Sequence, residues 1–220
     1  MQLGKYQLAA NTYQAGSLLQ PGQPAWRVRM AAALQASDGT VQEALATYQQ
    51  LIKEHPNDAA LHYNLGTCLK RQHKFDQTVD AYRKAVALAP EELQYQISLC
   101  YMLYEMTDFE AAVTVGERVL AIQENTPEVL GILYYSYKKL SVFDKSLHCA
   151  QRLVNLNGPS ASNMGYLASA QIAVKQYSNA VETCRLALEK TPTNRRLLAD
   201  QSIALSFDKK IKESRFHGGI

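Results

Sequence analysis

A stride of 34 residues lays like residue on like residue along most of this chain, and no other feature restricts its fold so tightly. From Phe75 the stride reaches Phe109, Phe143 and Tyr177, with Val41 one step behind. Leu65 is followed by Leu99, Leu133 and Leu167 and preceded by Ala31. A small-residue position runs Ala44, Thr78, Ala112, Ser146, Ala180. Pro56, Pro90 and Pro192 share another, filled by Glu124 and Gly158 in the copies between. Five units, 25–58, 59–92, 93–126, 127–160 and 161–194, follow one another with no insertion or deletion. Self-similarity at this period marks an array of supersecondary units, each able to bury its apolar face only against its neighbours.

Each unit reads as a pair of helices. In 59–92, Leu61, Leu65, Cys68 and Leu69 recur at helical spacing, and the polar run Arg71-Gln72-His73-Lys74 breaks them off. Phe75, Val79, Tyr82, Val86 and Leu88 form a second run that Pro90 ends. Asn57-Asp58 and Thr126-Pro127 carry cap chemistry at two helix starts. Thr107-Asp108 and Ser141 fall in the breaks, where their oxygens can hold free amides. Helices of about 14 residues are marginal alone in water, so stacking must stabilise them. Gly66, Ala32 and Ala168 occupy one first-helix position and, with the Ala112 series, let paired backbones approach closely.

These residues resemble the tetratricopeptide repeat family, whose 34-residue pattern has a small residue, a bulky aromatic and a closing proline in this order. The resemblance spans nearly the whole chain and implies an all-α fold, a right-handed superhelical solenoid of antiparallel helix pairs over 1–220. Two positions depart from it. Tyr134 stands where Gly66 and Ala168 stand, which separates the helices of 127–160, and Gly116 replaces an aromatic such as Tyr82. At the ends, 1–24 reads as a second half-unit plus the linker Pro21-Gly-Gln-Pro24, with Tyr6, Ala9 and Tyr13 at the Phe75, Ala112 and Tyr82 positions. Residues 195–213 start as a further first helix (Leu197, Leu198, Ile203, Leu205), turn polar and serve as a cap, with a tail over 214–220. The half-unit marks either a fragment of a longer array or a flank covered by a partner or a second copy, which allows self-association there.

The resemblance also places the first helices along a concave groove. Its positions in this chain are Arg29, Tyr63, Asn64, Lys70, Arg71, Ile97, Tyr101, Tyr104, Tyr135, Lys138, Lys139 and Tyr166, flanked by Thr67, Ser98, Ile132, Ser169, Arg196 and Asp200. Tyrosine offers stiff amphipathic contact area, and Lys and Arg pair carboxylates, so the expected guest is a peptide segment with apolar anchors and some acidic character. Several of these tyrosines equally suit packing between adjacent first helices, Tyr101 and Tyr135 above all. The two-carboxylate clamp by which some family members hold chaperone tails is not assembled in either register. One puts Arg29, Ala33, Asn64, Gln94 and Ser98 in its positions, the other Tyr63, Thr67, Ser98, Glu128 and Ile132.

Composition narrows the function further. A formal charge of +3 is too small for a concentrated phosphate-binding face, so no nucleic-acid partner is expected. No run approaches the length of a membrane span and no export signal opens the chain, which suits a cytoplasmic protein unless a targeting segment lies elsewhere. Cys68, Cys100, Cys149 and Cys184 are scattered as reduced core thiols are, and neither a metal nor any other cofactor is expected. The five histidines gather at no common point, and His62 suits a half-buried structural role. No convergent set of acids, bases and nucleophiles appears. The expected function is a non-catalytic scaffold or adaptor. A chaperone for secretion or envelope subunits and a regulatory module of a larger enzyme are the alternatives.

Overall fold

The computed structural model describes residues 2–20, 23–36 and 40–217. The fold is all-α, of helix-pair repeats, with no strand among the described residues. It divides into two compact units, one up to Met106 and one from Thr107. The first holds α1 (Gln2–Leu19), α2 (Pro24–Gln35), α3 (Val41–Glu54), α4 (Ala59–Arg71), α5 (Phe75–Leu88) and α6 (Leu93–Glu105). The second holds α7 (Phe109–Ile122), α8 (Pro127–Lys139), α9 (Phe143–Asn157), α10 (Ala161–Ala173), α11 (Tyr177–Lys190) and α12 (Arg195–His217). In each unit a helix packs chiefly on its sequence neighbours, as a stack of hairpins requires. First helices from α4 onward start at 59, 93, 127, 161 and 195, and second helices at 41, 75, 109, 143 and 177, both in steps of 34.

The turns inside the pairs repeat with the same stride. His73, Thr107, Ser141 and Lys175 all take the left-handed conformation, with φ of 57°, 61°, 60° and 63°. Around three of them the backbone closes a double bond pattern. His73 N donates to Lys70 O at 3.0 Å and Lys74 N to Leu69 O at 3.0 Å; the pairs Ser141–Lys138 and Val142–Tyr137, then Lys175–Ile172 and Gln176–Gln171, repeat it. The expected role of Thr107 and Ser141 as oxygen caps is therefore corrected: their backbones make the turn. Asp108 does cap, its Oδ1 accepting from Ala111 N at 3.1 Å. Asp58 caps α4 through Ala60 N and Leu61 N. Thr126 makes no cap bond to α8 and donates instead to Gln123 O; Pro127, which needs no donor partner, starts that helix.

The core runs between paired helices. A methyl added to Gly66 would lie 2.6 Å from the Tyr82 ring, so α4 and α5 meet where only glycine fits. Two and three strides of 34 later, the same two positions hold Tyr134 with Ala150 and Ala168 with Cys184, all fully buried. At Tyr134 a large side chain faces the small Ala150, and Ser146 Oγ of α9 still donates to Tyr134 O of α8 at 3.0 Å, which corrects the expectation that this ring sets its helices apart. Ala180 is fully buried on α11. Replacing it by leucine is expected to cost about 1–3 kcal/mol by overpacking, read from a chemical melt of the variant beside wild type.

The stride fails in one place. Ala32, set opposite Gly66 by a step of 34, is exposed, and Ala31 and Leu34 are the buried residues of α2. A step of 35 carries those two onto Gly66 and Leu69, so α2 is slipped by one residue. All four cysteines are buried, and none forms a disulfide. Burial pushes the Cys100 thiol up to about 12 and the other three up to about 11, which keeps them protonated. His62 Nε2 lies 2.8 Å from Pro56 O, and Gln96, one stride on, donates to Pro90 O, so this position holds the turn between units. Of the expected cap, Leu197 is buried, whereas Leu198, Ile203 and Leu205 are largely exposed; α12 absorbs 214–217, and 218–220 lie outside the described residues. Of the expected linker, Pro24 starts α2, and residues 21–22 also lie outside the described residues.

Candidate functional site

Two clusters of tyrosine and positive charge lie on first helices, one in each compact unit. In the first unit, the Tyr63 ring stacks between Tyr82 at 5.4 Å and Tyr95 at 4.7 Å. Its hydroxyl lies 3.2 Å from Ser98 Oγ, to which Gln94 also donates at 3.3 Å. Lys70 sets its ammonium 4.3 Å from the centre of the Tyr101 ring, a cation–π pair open to solvent with Tyr101 39% exposed. Asn64, Ile97 and Tyr104 are half-buried in this unit, and Arg71 is exposed. Arg29 lies apart, its guanidinium over the Trp26 ring at 5.7 Å.

In the second unit, Tyr134, Tyr135 and Tyr166 form a three-ring bed with centroids 4.9–5.4 Å apart. Lys138 reaches across from α8 to donate to Ser169 Oγ at 2.7 Å. Arg196 of α12 lies over the Tyr166 ring at 5.7 Å, donates to the Tyr135 hydroxyl and stands 4.0 Å from Asp200. Burial and then the neighbouring Arg196 charge hold the Lys138 ammonium below the ordinary lysine range. Burial raises the Asp200 carboxyl, against the pull of Arg196 and Lys138. The bond from Tyr135 and then burial push the Tyr166 phenol up to about 12. Two cations thus share a half-buried aromatic bed with one carboxylate. Such a bed can accept a further anion by charge-assisted hydrogen bonds. Lys139 is exposed on the same helix, and Ile132 is buried.

The expected residues therefore separate. In the first unit Tyr63 and the Lys70–Tyr101 pair make separate contacts, in the second Tyr135, Lys138 and Tyr166 gather around one bed, and Arg29 joins neither. Tyr63 packs between neighbouring rings, and Tyr101 is the open one. Tyr95 and Tyr134 went unforeseen because each stands where its repeat mates are core residues, Leu61 and Val129 for Tyr95, Gly66 and Ala168 for Tyr134. An aromatic at an otherwise aliphatic or small position was the available signal. Among the described residues no group of histidine, cysteine and carboxylate side chains could hold a metal, and no helix is long and apolar enough to cross a membrane.

Models of the tetratricopeptide repeat match residues 27–58 and 59–92. A Drosophila melanogaster protein described as a BBSome complex member, BBS4 homolog, is 24% identical over 186 residues, covering 83% of this chain. The chain spans only 37% of that relative's length. Among solved structures, YrrB, described as a TPR protein with an unusual peptide-binding site, matches with a TM-score of 0.77 at 16% identity, covering 88% of this chain and all of its own. MamA from Desulfovibrio magneticus RS-1 matches with a TM-score of 0.67 at 17% identity, covering 77% and 97% of the two chains. Two matched repeats, a helix ladder in steps of 34 and neighbours of the same fold agree: the chain is a tetratricopeptide-repeat protein.

Proposed function

We propose that this protein is a non-catalytic scaffold whose first helices hold a peptide segment of a partner, with apolar anchors seated on tyrosine and acidic groups on Lys138 and Arg196. Tetratricopeptide repeats are interaction modules, and that coarser role rests on the family itself. The finer reading is carried by one observation: Lys138 and Arg196 flank a half-buried bed of three tyrosines with a single carboxylate between them. The spare positive charge there is relieved when a guest carboxylate arrives, and the ring faces are stiff enough to cost little on ordering. Lys70 above Tyr101 offers a smaller version of the same chemistry in the first unit. The solved neighbour with a peptide-binding site supports a peptide guest, and the relative that belongs to a complex supports a scaffold inside a larger assembly.

Selection of peptides from a random display library by the purified chain tests this. Enriched sequences are expected to combine aromatic or aliphatic residues with Asp or Glu. Their affinity should fall about tenfold or more in a Lys138→Ala, Arg196→Ala variant and weaken with added salt. Enrichment without acidic bias, or affinity untouched by the double variant, would overturn the proposal.

A further inference from the structure

A place that one side chain fills in the first unit stands open in the second. Three strides of 34 carry Tyr63 to Gly165, Gln94 to Arg196, Tyr95 to Leu197 and Ser98 to Asp200. In the first unit the Tyr63 ring of α4 stacks on Tyr95 of α6. Its hydroxyl stands 3.2 Å from Ser98 Oγ and accepts from Gln94 Nε2 at 3.5 Å. In the second unit every partner of that ring has its counterpart, but the ring itself is replaced by glycine.

What Gly165 leaves is a cavity of about 110 Å³ between α10 and α12, with Ala161, Ser162, Tyr166, Arg196 and Leu197 among its walls. A methyl built on Gly165 would have Leu197 Cδ2 as its one neighbour within 4 Å among the described residues, at an ordinary 3.8 Å. The glycine is therefore not there to admit a neighbouring helix, as Gly66 is against Tyr82. Leu197 is buried, and the exposed Ser162 and Arg196 open the space to solvent. A closed apolar cavity of about 150 Å³ is enough to hold benzene, so an open one of this size suits a single six-membered ring. Its surroundings suit a ring that carries a hydroxyl. Asp200 stands one turn along α12 from Arg196, and its Oδ2 accepts no hydrogen bond among the described residues, with Arg196 Nε 4.0 Å away.

We propose that this cavity seats a tyrosine side chain of the guest peptide, lying over Gly165 as the chain's own Tyr63 lies in the first unit. The seat rests on the peptide guest proposed for the first helices, and it adds to that guest's acidic group a ring of defined type. The ring packs on Leu197 beside Tyr166, and its hydroxyl donates to the Asp200 carboxylate, as the Tyr63 hydroxyl meets Ser98. Arg196 carries five N–H donors in a fixed fork, enough to hold the phenol oxygen and the guest carboxylate together. Phenylalanine fills the same space but brings no donor to Asp200, so the hydroxyl is selected. The first unit has no such seat, because Tyr63 already occupies the place.

Peptides selected by wild type from the random display library are expected to carry tyrosine close to Asp or Glu. Changing that tyrosine to phenylalanine should weaken binding about tenfold, the effect of losing a hydrogen bond to a charged group. Gly165→Tyr and Gly165→Leu fill the cavity from within and should keep wild-type helicity by circular dichroism. Selection on either should lose tyrosine and keep the acidic residues, whereas Gly165→Ala, which adds only a methyl, should keep both. Asp200→Ala should bind the tyrosine and phenylalanine peptides alike, a comparison that needs neither filled variant to fold. Acidic peptides without tyrosine enrichment on wild type would overturn the proposal. So would tyrosine enrichment undiminished by the filled variants, or a tyrosine preference that survives Asp200→Ala. Tyrosine enriched without any acidic bias, and lost in Gly165→Leu, would instead retain the seat and remove the carboxylate from the proposed function. Enrichment of neither removes both.

Discussion

Replacing Tyr134 by glycine is expected to cost about 3–5 kcal/mol, the range for removing a buried aromatic side chain. Tyr134 is fully buried, and its pair position, Ala150, contributes too little volume to close the gap. Adding Ala150→Tyr should recover part of the loss, because it rebuilds the arrangement of Gly66 with Tyr82 already present in the first unit. Ala150→Tyr in the wild-type background should destabilise by about 1–3 kcal/mol, since two rings then compete for one space. The double-mutant cycle in chemical denaturation reads the coupling. Additive losses would show that the two positions do not share volume.

Four glycines placed at His73, Thr107, Ser141 and Lys175 should raise stability by about 2–3 kcal/mol in total. Each residue holds φ near +60°, where a side chain costs on the order of 1 kcal/mol or more and glycine costs none. Glycine's looser unfolded state takes back part of that gain at each site. Thr107 should contribute most, because its branched Cβ is the most crowded there. For a chain of this length the sum corresponds to a thermal midpoint about 5–10 °C higher, measured with single variants beside the combined one. A fall in midpoint would mean that these side chains make contacts worth more than the strain they carry.

Much of the molecule was legible in the residues. The helix starts at 59, 93, 127 and 161 coincide with the expected units, and Asp58 caps where its oxygen suggested. The thiols are buried where their scattered spacing implied core roles. What misled lay where one position serves two purposes. Ser and Thr in a turn can bond an amide through oxygen or bend the backbone, and composition does not separate the two; at Thr107 and Ser141 the backbone does the bending. The slip in α2 was hidden because Ala31 and Ala32 are the same residue type, and only burial distinguishes them.

The candidate site divides in the same way. Which positions lie on first helices follows from periodicity, because helical spacing and the stride are local properties of the chain. Which tyrosines bury their rings and which stay open depends on neighbours 19 to 32 residues away: Tyr63 is sandwiched by Tyr82 and Tyr95, while Tyr134 and Tyr135 meet Tyr166. The sequence alone determined the repeat, the paired helices and the family. The tertiary structure decided the partnerships across pairs and the bed beneath Lys138 and Arg196. Periodicity is written in consecutive residues, whereas volume and charge are shared between helices that only folding brings together.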